Sequence, residues 1–281
     1  MKTVTVSTHK RPEMTGGALR RVIELAREAG VEVHLPDDEV EKHGMEPQDG
    51  VVLGGDASTD PDLSIVLGGD GTILAALRRY ARRDVPVFAV NFGTIGFLAT
   101  IEPDELDTGI GLALKGEFDT MPIPGLVAST SEGEQIGIND ISFHRQHTGR
   151  VAELAYSVEG EQLGEVRCDG LVVATPAGST GYNLANGGPV LAWGVEGFGV
   201  SFIAPHSLTA RALVVAPADP LTVSNRGRTA VDVSVDGRPV CEIAPGDALR
   251  ARFERDAAGL AQLPGSSFYR RLRAKFGRLA S

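Results

Sequence analysis

The chain reads as an α/β protein: an open α/β domain over residues 1–118, a β-rich domain over 119–263, and a tail, 264–281, that packs back on the first domain. Three observations predict this. In the first hundred residues short apolar runs alternate with helical periods, the grammar of a parallel sheet with crossover helices. After about residue 118 the helical period gives way to β-rich segments at short intervals. Glycine is the third signal: 35 of 281 residues, well above the usual share of about 7%, with no G-X-Y period, which points to loops that need its freedom.

Taken in order, residues 4–7 are predicted as a strand and 18–29 as an amphipathic helix that Gly30 ends, followed by a strand at 31–35. The acidic stretch 36–49, with its Pro and Gly, reads as a solvated loop. Residues 63–67, Leu-Ser-Ile-Val-Leu, form the continuous apolar run of a buried parallel strand. Gly68-Gly69-Asp70-Gly71-Thr72 follows, then a helix over 73–83 and a strand over 85–90 that Asn91-Phe92-Gly93 closes. The second half offers strands at 136–143, 151–158, 171–175, 200–204, 212–216 and 230–235. Asp236-Gly237 then makes a hairpin with 240–243, because a type I′ turn wants positive φ at both positions. Residues 267–278 carry Phe268, Leu272 and Phe276 four apart among five basic residues, and read as an amphipathic helix docked on the body.

Composition excludes several functions. With 27 Lys+Arg against 37 Asp+Glu the net charge is −10, a poor match to nucleic acid. No apolar run approaches the roughly 18 residues of a membrane span, and the start of the chain goes straight into a strand pattern, so the expectation is a soluble, cytoplasmic protein handling small molecules. Cys168 and Cys241 are too few for a disulfide framework or a zinc cluster and read as small buried hydrophobes.

Four loops carry the chemistry. In the Gly68–Thr72 loop, three glycines and a helix N-terminus suit a phosphate. Asp70 is then out of place for simple anion binding. It either takes a proton from a hydroxyl, helps hold a metal on the phosphates, or caps the helix. The second loop, 91–98, places Phe97 where it either stacks on a flat ring or plugs the core. The third is Asn139-Asp140 between apolar residues; such a pair must find partners, and ribose hydroxyls would supply them. The fourth runs from Arg167 to Pro189. It is predicted as a polar, Gly-rich hairpin, and its hydroxyls, its amides and Tyr182 suit a purine and a sugar.

Together the four loops make the chain resemble the NAD kinases over nearly all its length. Gly-Gly-Asp-Gly-Thr alone is shared with lipid kinases, whereas Asn139-Asp140 with Thr175-Pro176-x-Gly178-Ser179-Thr180-x-Tyr182 is far more specific. The resemblance implies transfer of a phosphoryl group from ATP or inorganic polyphosphate to the 2′-hydroxyl of the adenosine ribose of NAD. It implies Asp70 as general base, Gly68, Gly69, Gly71 and Thr72 on the phosphates, and Phe97 on the adenine. Asn139 and Asp140 would hold ribose and base, and Thr180, Gly181, Tyr182, Asn183, Leu184 and Ala185 would line the dinucleotide. Arg150, Arg167, Asp169 and Ala204 match positions that reach NAD, partly across a subunit boundary, so a homodimer or homotetramer is implied. Arg238 matches a polar contact position. Two departures stand out: Ala177 replaces a common Thr or Ser, and Ala75 stands where some members have a basic residue.

Two polyanions meeting in line require a divalent cation, expected to be Mg²⁺ carried with ATP, since no metal cage is legible and His144 with His147 is not read as one. A lipid kinase would need an apolar cleft that the 175–189 loop does not offer. A non-catalytic dinucleotide binder would have no use for Asp70.

Overall fold

Val4 and Val6, both fully buried, anchor the first strand, Thr3–Thr8 (β1), of a computed structural model that describes residues 1–54, 60–94, 96–146 and 151–277. Contacts divide the chain into two units, Met1–Pro122 with Ala258–Ser281, and Ile123–Ala257.

The first unit continues with Pro12–Glu28 (α1), Glu32–Leu35 (β2), Asp37–His43 (α2), Val51–Leu53 (β3), Leu63–Gly68 (β4), Asp70–Arg79 (α3), Pro86–Asn91 (β5) and Leu106–Leu114 (α4). Its strands run in the order β5-β4-β1-β2-β3, and every neighbour pairs in parallel. All of β4 is buried, as a strand with both faces covered must be. Leu19, Val22 and Ile23 of α1 and Ile110 and Ala113 of α4 share one core with these strands. The order has a functional consequence. The chain leaves β1 first toward β2 and β3, then returns to lay β4 and β5 on the other side. The carboxyl ends of β1 and β4 therefore flank a topological switch point, the place where open α/β sheets bind ligands.

Three expectations are corrected in this unit. The helix expected at 18–29 starts at Pro12, because Pro at the first helical position presets φ and its missing N–H costs nothing there. The glycine loop belongs partly to α3, which starts at Asp70 and ends at Arg79, short of residue 83. The expected loop 36–49 contains α2. Three acids in its first turn, Lys42 and His43 in its last, and Gly44 at φ 57° past its end are the signals of a short helix that favours its own dipole.

The second unit holds most of Asp119–Thr130 (β6), then Gly133–Gly137 (β7), Asp140–Arg145 (β8), Ala152–Val158 (β9), Glu161–Cys168 (β10), Gly170–Ala174 (β11), the short helix Tyr182–Ala185 (α5), Phe198–Ile203 (β12), Leu213–Val215 (β13), Leu221–Asn225 (β14), Val231–Val235 (β15), Arg238–Ile243 (β16) and the first part of Ala248–Gln262 (β17). One sheet runs β13-β12-β11-β8-β15-β16 and a second runs β10-β9-β14-β17, antiparallel throughout. Phe143, Phe198, Val173, Leu154 and Val223 from the two sheets meet in one core. β14 and β15 alternate buried and half-buried residues, one face to the core. The strand expected at 136–143 is two strands, with Ile138 and Asn139 between them. The expected hairpin after Pro176 is instead a 3₁₀ turn at Gly178–Thr180 followed by α5.

The end of β17 returns to the first unit, where Gly259 and Leu260 pair in parallel with Pro86 and Val87 of β5. Phe268–Phe276 (α6) follows and buries Phe268 and Leu272; Arg278 lies outside the described residues.

Candidate active site

In the first unit the loops after β4 and β5 lie backbone against backbone. A Cβ on Gly93 would come within 2.7 Å of the Gly69 Cα, and one on Gly68 within 2.6 Å of Thr72. These glycines are needed for packing, whereas Gly71 is exposed with open space where a Cβ would stand. Gly69 is the N-cap of α3, whose end carries no side-chain cap. Of the alternatives left open for Asp70, the helix cap is therefore excluded. Its carboxylate instead accepts the N–H of Leu98 at 3.0 Å and of Phe97 at 3.2 Å.

At the switch point opens a cavity of about 610 Å³, lined among others by Thr8, Lys10, Gly69, Gly71, Ala75 and Arg79. Arg79 lies one helical turn beyond Ala75 and shares its face, so a basic group is present although position 75 lacks one. Lys42 joins the lining and is held in place. Its ammonium donates to Glu39 at 2.7 Å, while Glu39, 3% exposed, also accepts the Thr8 N–H at 2.8 Å and hydroxyl at 2.7 Å. Beside them His43 is lowered from the ordinary histidine range, first by burial. Sequence reasoning missed Glu39 and Lys42 because it missed α2; the ordered run of acids, then bases, then Gly44 was the available signal.

Phe97 is 5% exposed and its ring lies 5.4 Å from that of Phe276. The core plug, not an open stacking face, is what the structure shows, because α6 brings a second aromatic onto it.

In the second unit, the Asn139-Asp140 turn and the start of the fourth loop are locked together. Thr175 donates its hydroxyl to Ile138 O at 2.6 Å and its N–H to Asn139 O at 2.9 Å. A Cβ on Gly178 would fall 2.1 Å from Asn139 O, so only glycine permits this approach. The turn itself is held by a residue that sequence reasoning read only as a hairpin corner. Asp236, at φ 48°, accepts the N–H groups of Ile138, Asn139 and Asp140 at 3.0, 2.7 and 3.1 Å. Burial, with Asp236 adding a like charge, pushes the Asp140 carboxyl up to about 7. The Asn139 Oδ1 is buried without a hydrogen-bond partner, which costs energy unless a ligand supplies a donor.

Tyr182 stacks on His144 with ring centroids 5.7 Å apart and planes 14° from parallel, and its outer face is exposed. Asn183 is fully buried, and its amide donates to Ser179 O and Pro189 O at 3.1 and 2.9 Å, so it holds the loop together. Thr180 and Leu184 are half-buried; Gly181, Ala185, Ala204 and Arg238 are exposed, Ala204 at φ 43°. Arg167 pairs with Glu153 at 3.3 Å beside a cleft of about 560 Å³, and Asp169 accepts Arg145 at 2.6 Å. Arg150 and His147 lie outside the described residues. Cys168 is buried and its thiol is raised to about 11, first by that burial.

A glycine loop that opens a helix at a switch point suits a phosphate chain, and the carboxylate within it takes no part in capping that helix. The class so defined is a phosphotransferase acting on nucleotides. Residues 51–118 match the family described as ATP-NAD kinase N-terminal domain, and 138–259 match the ATP-NAD kinase C-terminal domain. The NAD kinase of Gemmatimonas aurantiaca is 35% identical over 227 residues, 78% of each chain, and that of Aromatoleum aromaticum 30% over 275 residues, 96% of this chain and 91% of the relative. The chain belongs to the NAD kinase family. Among solved structures, the Archaeoglobus fulgidus NAD kinase in complex with ATP matches with a TM-score of 0.74 at 25% identity, covering 98% of both chains. Yeast NADH kinase complexed with NADH shares the fold, with a TM-score of 0.88 at 22% identity over 100% of this chain and 89% of its own.

Proposed function

We propose that the chain makes NADP by moving the terminal phosphoryl group of ATP onto the 2′-hydroxyl of the adenosine ribose of NAD, with Asp70 as general base. One observation carries the assignment of roles: Asp70 stands between Gly69 and Gly71, both lining the switch-point cavity, and spends no hydrogen bond on capping α3. The carboxylate takes the hydroxyl proton, the freed oxygen bonds to the terminal phosphorus, and the bond to the bridging oxygen breaks to release ADP. The first-turn amides of α3 with Lys10, Lys42 and Arg79 offer donors to the phosphate chain.

Asn139, with its unpartnered carbonyl oxygen, and Asp140, whose carboxyl at about 7 keeps its proton in part near neutrality and so can donate as well as accept, suit vicinal ribose hydroxyls. Tyr182 offers a free aromatic face, with Thr180, Gly181, Leu184 and Ala185 around it. Among the described residues no three His, Cys, Asp or Glu side chains gather to hold a metal ion. The cavity's basic residues suit the donor's phosphates, and Mg²⁺ arriving on those phosphates would neutralise their charge. Inorganic polyphosphate is the alternative donor, since the cavity's donors address phosphates.

The reading places the enzyme in the cytoplasm, as a homodimer or homotetramer. Exposed Arg167 and Ala204 support the assembly, and so does Leu208, 94% exposed in the β12–β13 connection.

The test is NADP formation from NAD by the purified chain with Mg-ATP and, side by side, with polyphosphate. Asp70→Asn is expected to bind NAD and lose about 10²–10⁴-fold in turnover. Near-normal turnover in that variant would remove Asp70 from the chemistry.

A further inference from the structure

The basic helix α6 is the sequence feature that the reaction leaves unexplained. Arg270 and Arg273 are exposed, but Arg271 is half-buried, and burial holds its guanidinium below the usual arginine range while Glu102 and Asp70 pull it back up. Drawing an ion even partly out of water costs energy unless its hydrogen bonds are replaced. Its contacts indicate why it is there.

Arg271 donates through Nη2 to Gln262 Oε1 at 2.7 Å and directs Nη1 at the carbonyl oxygen of Phe97 at 3.5 Å. That carbonyl and the Leu98 N–H belong to one peptide group, and the N–H donates to Asp70 at 3.0 Å. A trans peptide is rigid, with its C=O and N–H pointing oppositely. Fixing the oxygen at one end therefore aims the N–H at the other. Two further contacts tie the loop down. Phe276 covers the Phe97 ring, and Lys275 lies 3.6 Å from Glu102, which accepts the Asn91 side-chain amide at 2.9 Å while Asn91 accepts the Gly93 N–H at 3.0 Å.

We propose that Arg271 is a positioning residue for phosphoryl transfer, holding the Phe97–Leu98 peptide so that its N–H keeps the Asp70 carboxylate aimed at the acceptor hydroxyl. The assignment rests on Asp70 as the base. Arginine is the fitting residue, since its planar fork presents two donors in fixed directions, to Gln262 and to the peptide.

The experiment compares full-length wild type with Arg271→Ala, Arg271→Lys and, as a control on the exposed side of α6, Arg273→Ala. Steady-state kinetics are combined with hydrogen exchange at the Phe97 and Leu98 amides. Arg271→Ala is expected to lose about tenfold or more in kcat, as a small misplacement of a reacting group does, with KM for NAD within about twofold of wild type. Faster exchange should be confined to residues 96–98. Arg271→Lys and added guanidinium should each restore part of kcat, which a purely structural role would not allow, and Arg273→Ala should match wild type. A kcat for Arg271→Ala within about twofold of wild type, or a loss accompanied by faster exchange throughout the strands without rescue, overturns the proposal. If wild type forms no NADP, the kinase reading fails. Unchanged exchange at the two amides would then still refute the clamp, and faster exchange there would establish it as a loop contact independent of that reaction.

Discussion

The carboxylate of Asp236 accepts the backbone N–H of Asn139 at 2.7 Å across 97 positions of sequence. A hairpin corner thereby becomes the support of the Asn139-Asp140 turn, since the same carboxylate also takes the N–H groups on either side.

Removing that support should damage binding more than fold. Asp236→Ala leaves three amides to find other partners, at a cost of about 2 kcal/mol for a half-exposed carboxylate. The expected outcome is a lower denaturation midpoint together with a KM for NAD raised about tenfold or more. Asp236→Asn, which retains one acceptor oxygen, should fall between the two.

Asp140 gives the chain a pH dependence of a particular sign. Its folded value of about 7 lies above the ~3.9 of an unfolded aspartate. Between these values the folded chain keeps a proton that the unfolded chain has released, so stability falls as pH rises. His43 and His144, both lowered chiefly by burial, act in the opposite direction, because they favour folding more as pH rises through the ordinary histidine range. The informative quantity is therefore the difference between wild type and Asp140→Asn in urea melts from pH 5 to 8. Wild type should lose on the order of 1–3 kcal/mol relative to the variant across that range. A constant difference would show that Asp140 is ionised throughout.

On the donor side, Arg79→Ala should raise KM for ATP about tenfold while KM for NAD stays the same. The guanidinium stands in the switch-point cavity, beside Ala75 on the exposed face of α3. An equal rise for both substrates would place the cavity outside the donor path.

Much of this was legible because strong local signals carry their own physics. The mostly apolar run at Leu63–Gly68, short and closed by glycines, reads as a strand buried on both faces, and the glycines after it announce a ligand loop. Asp236-Gly237 announces a hairpin, and β15 and β16 form it. Two of the strands missed have diluted patterns. β10 is mostly exposed, and β17 mixes arginines, Glu254, Asp256 and alanines over 15 residues, so neither shows a clean period of two. Phe97 illustrates a different limit. Its residue type allowed a stacking platform or a plug, and only the arrival of Phe276, from the far end of the chain, decided between them.

By itself the sequence determined the kind of sheet in each half, the position of the glycine loop at a strand end, and the family. Each of these depends on residues close together in the chain, where steric and hydrophobic preferences act directly. The tertiary structure alone decided what the polar side chains do: Asp70 holds the Phe97 and Leu98 amides, Asp236 holds Asn139, Glu39 fixes Lys42, and Arg271 reaches Gln262 and the Phe97 carbonyl. A buried polar group must be paired with whatever the fold brings to it, and the partner is set by topology rather than by neighbours in sequence.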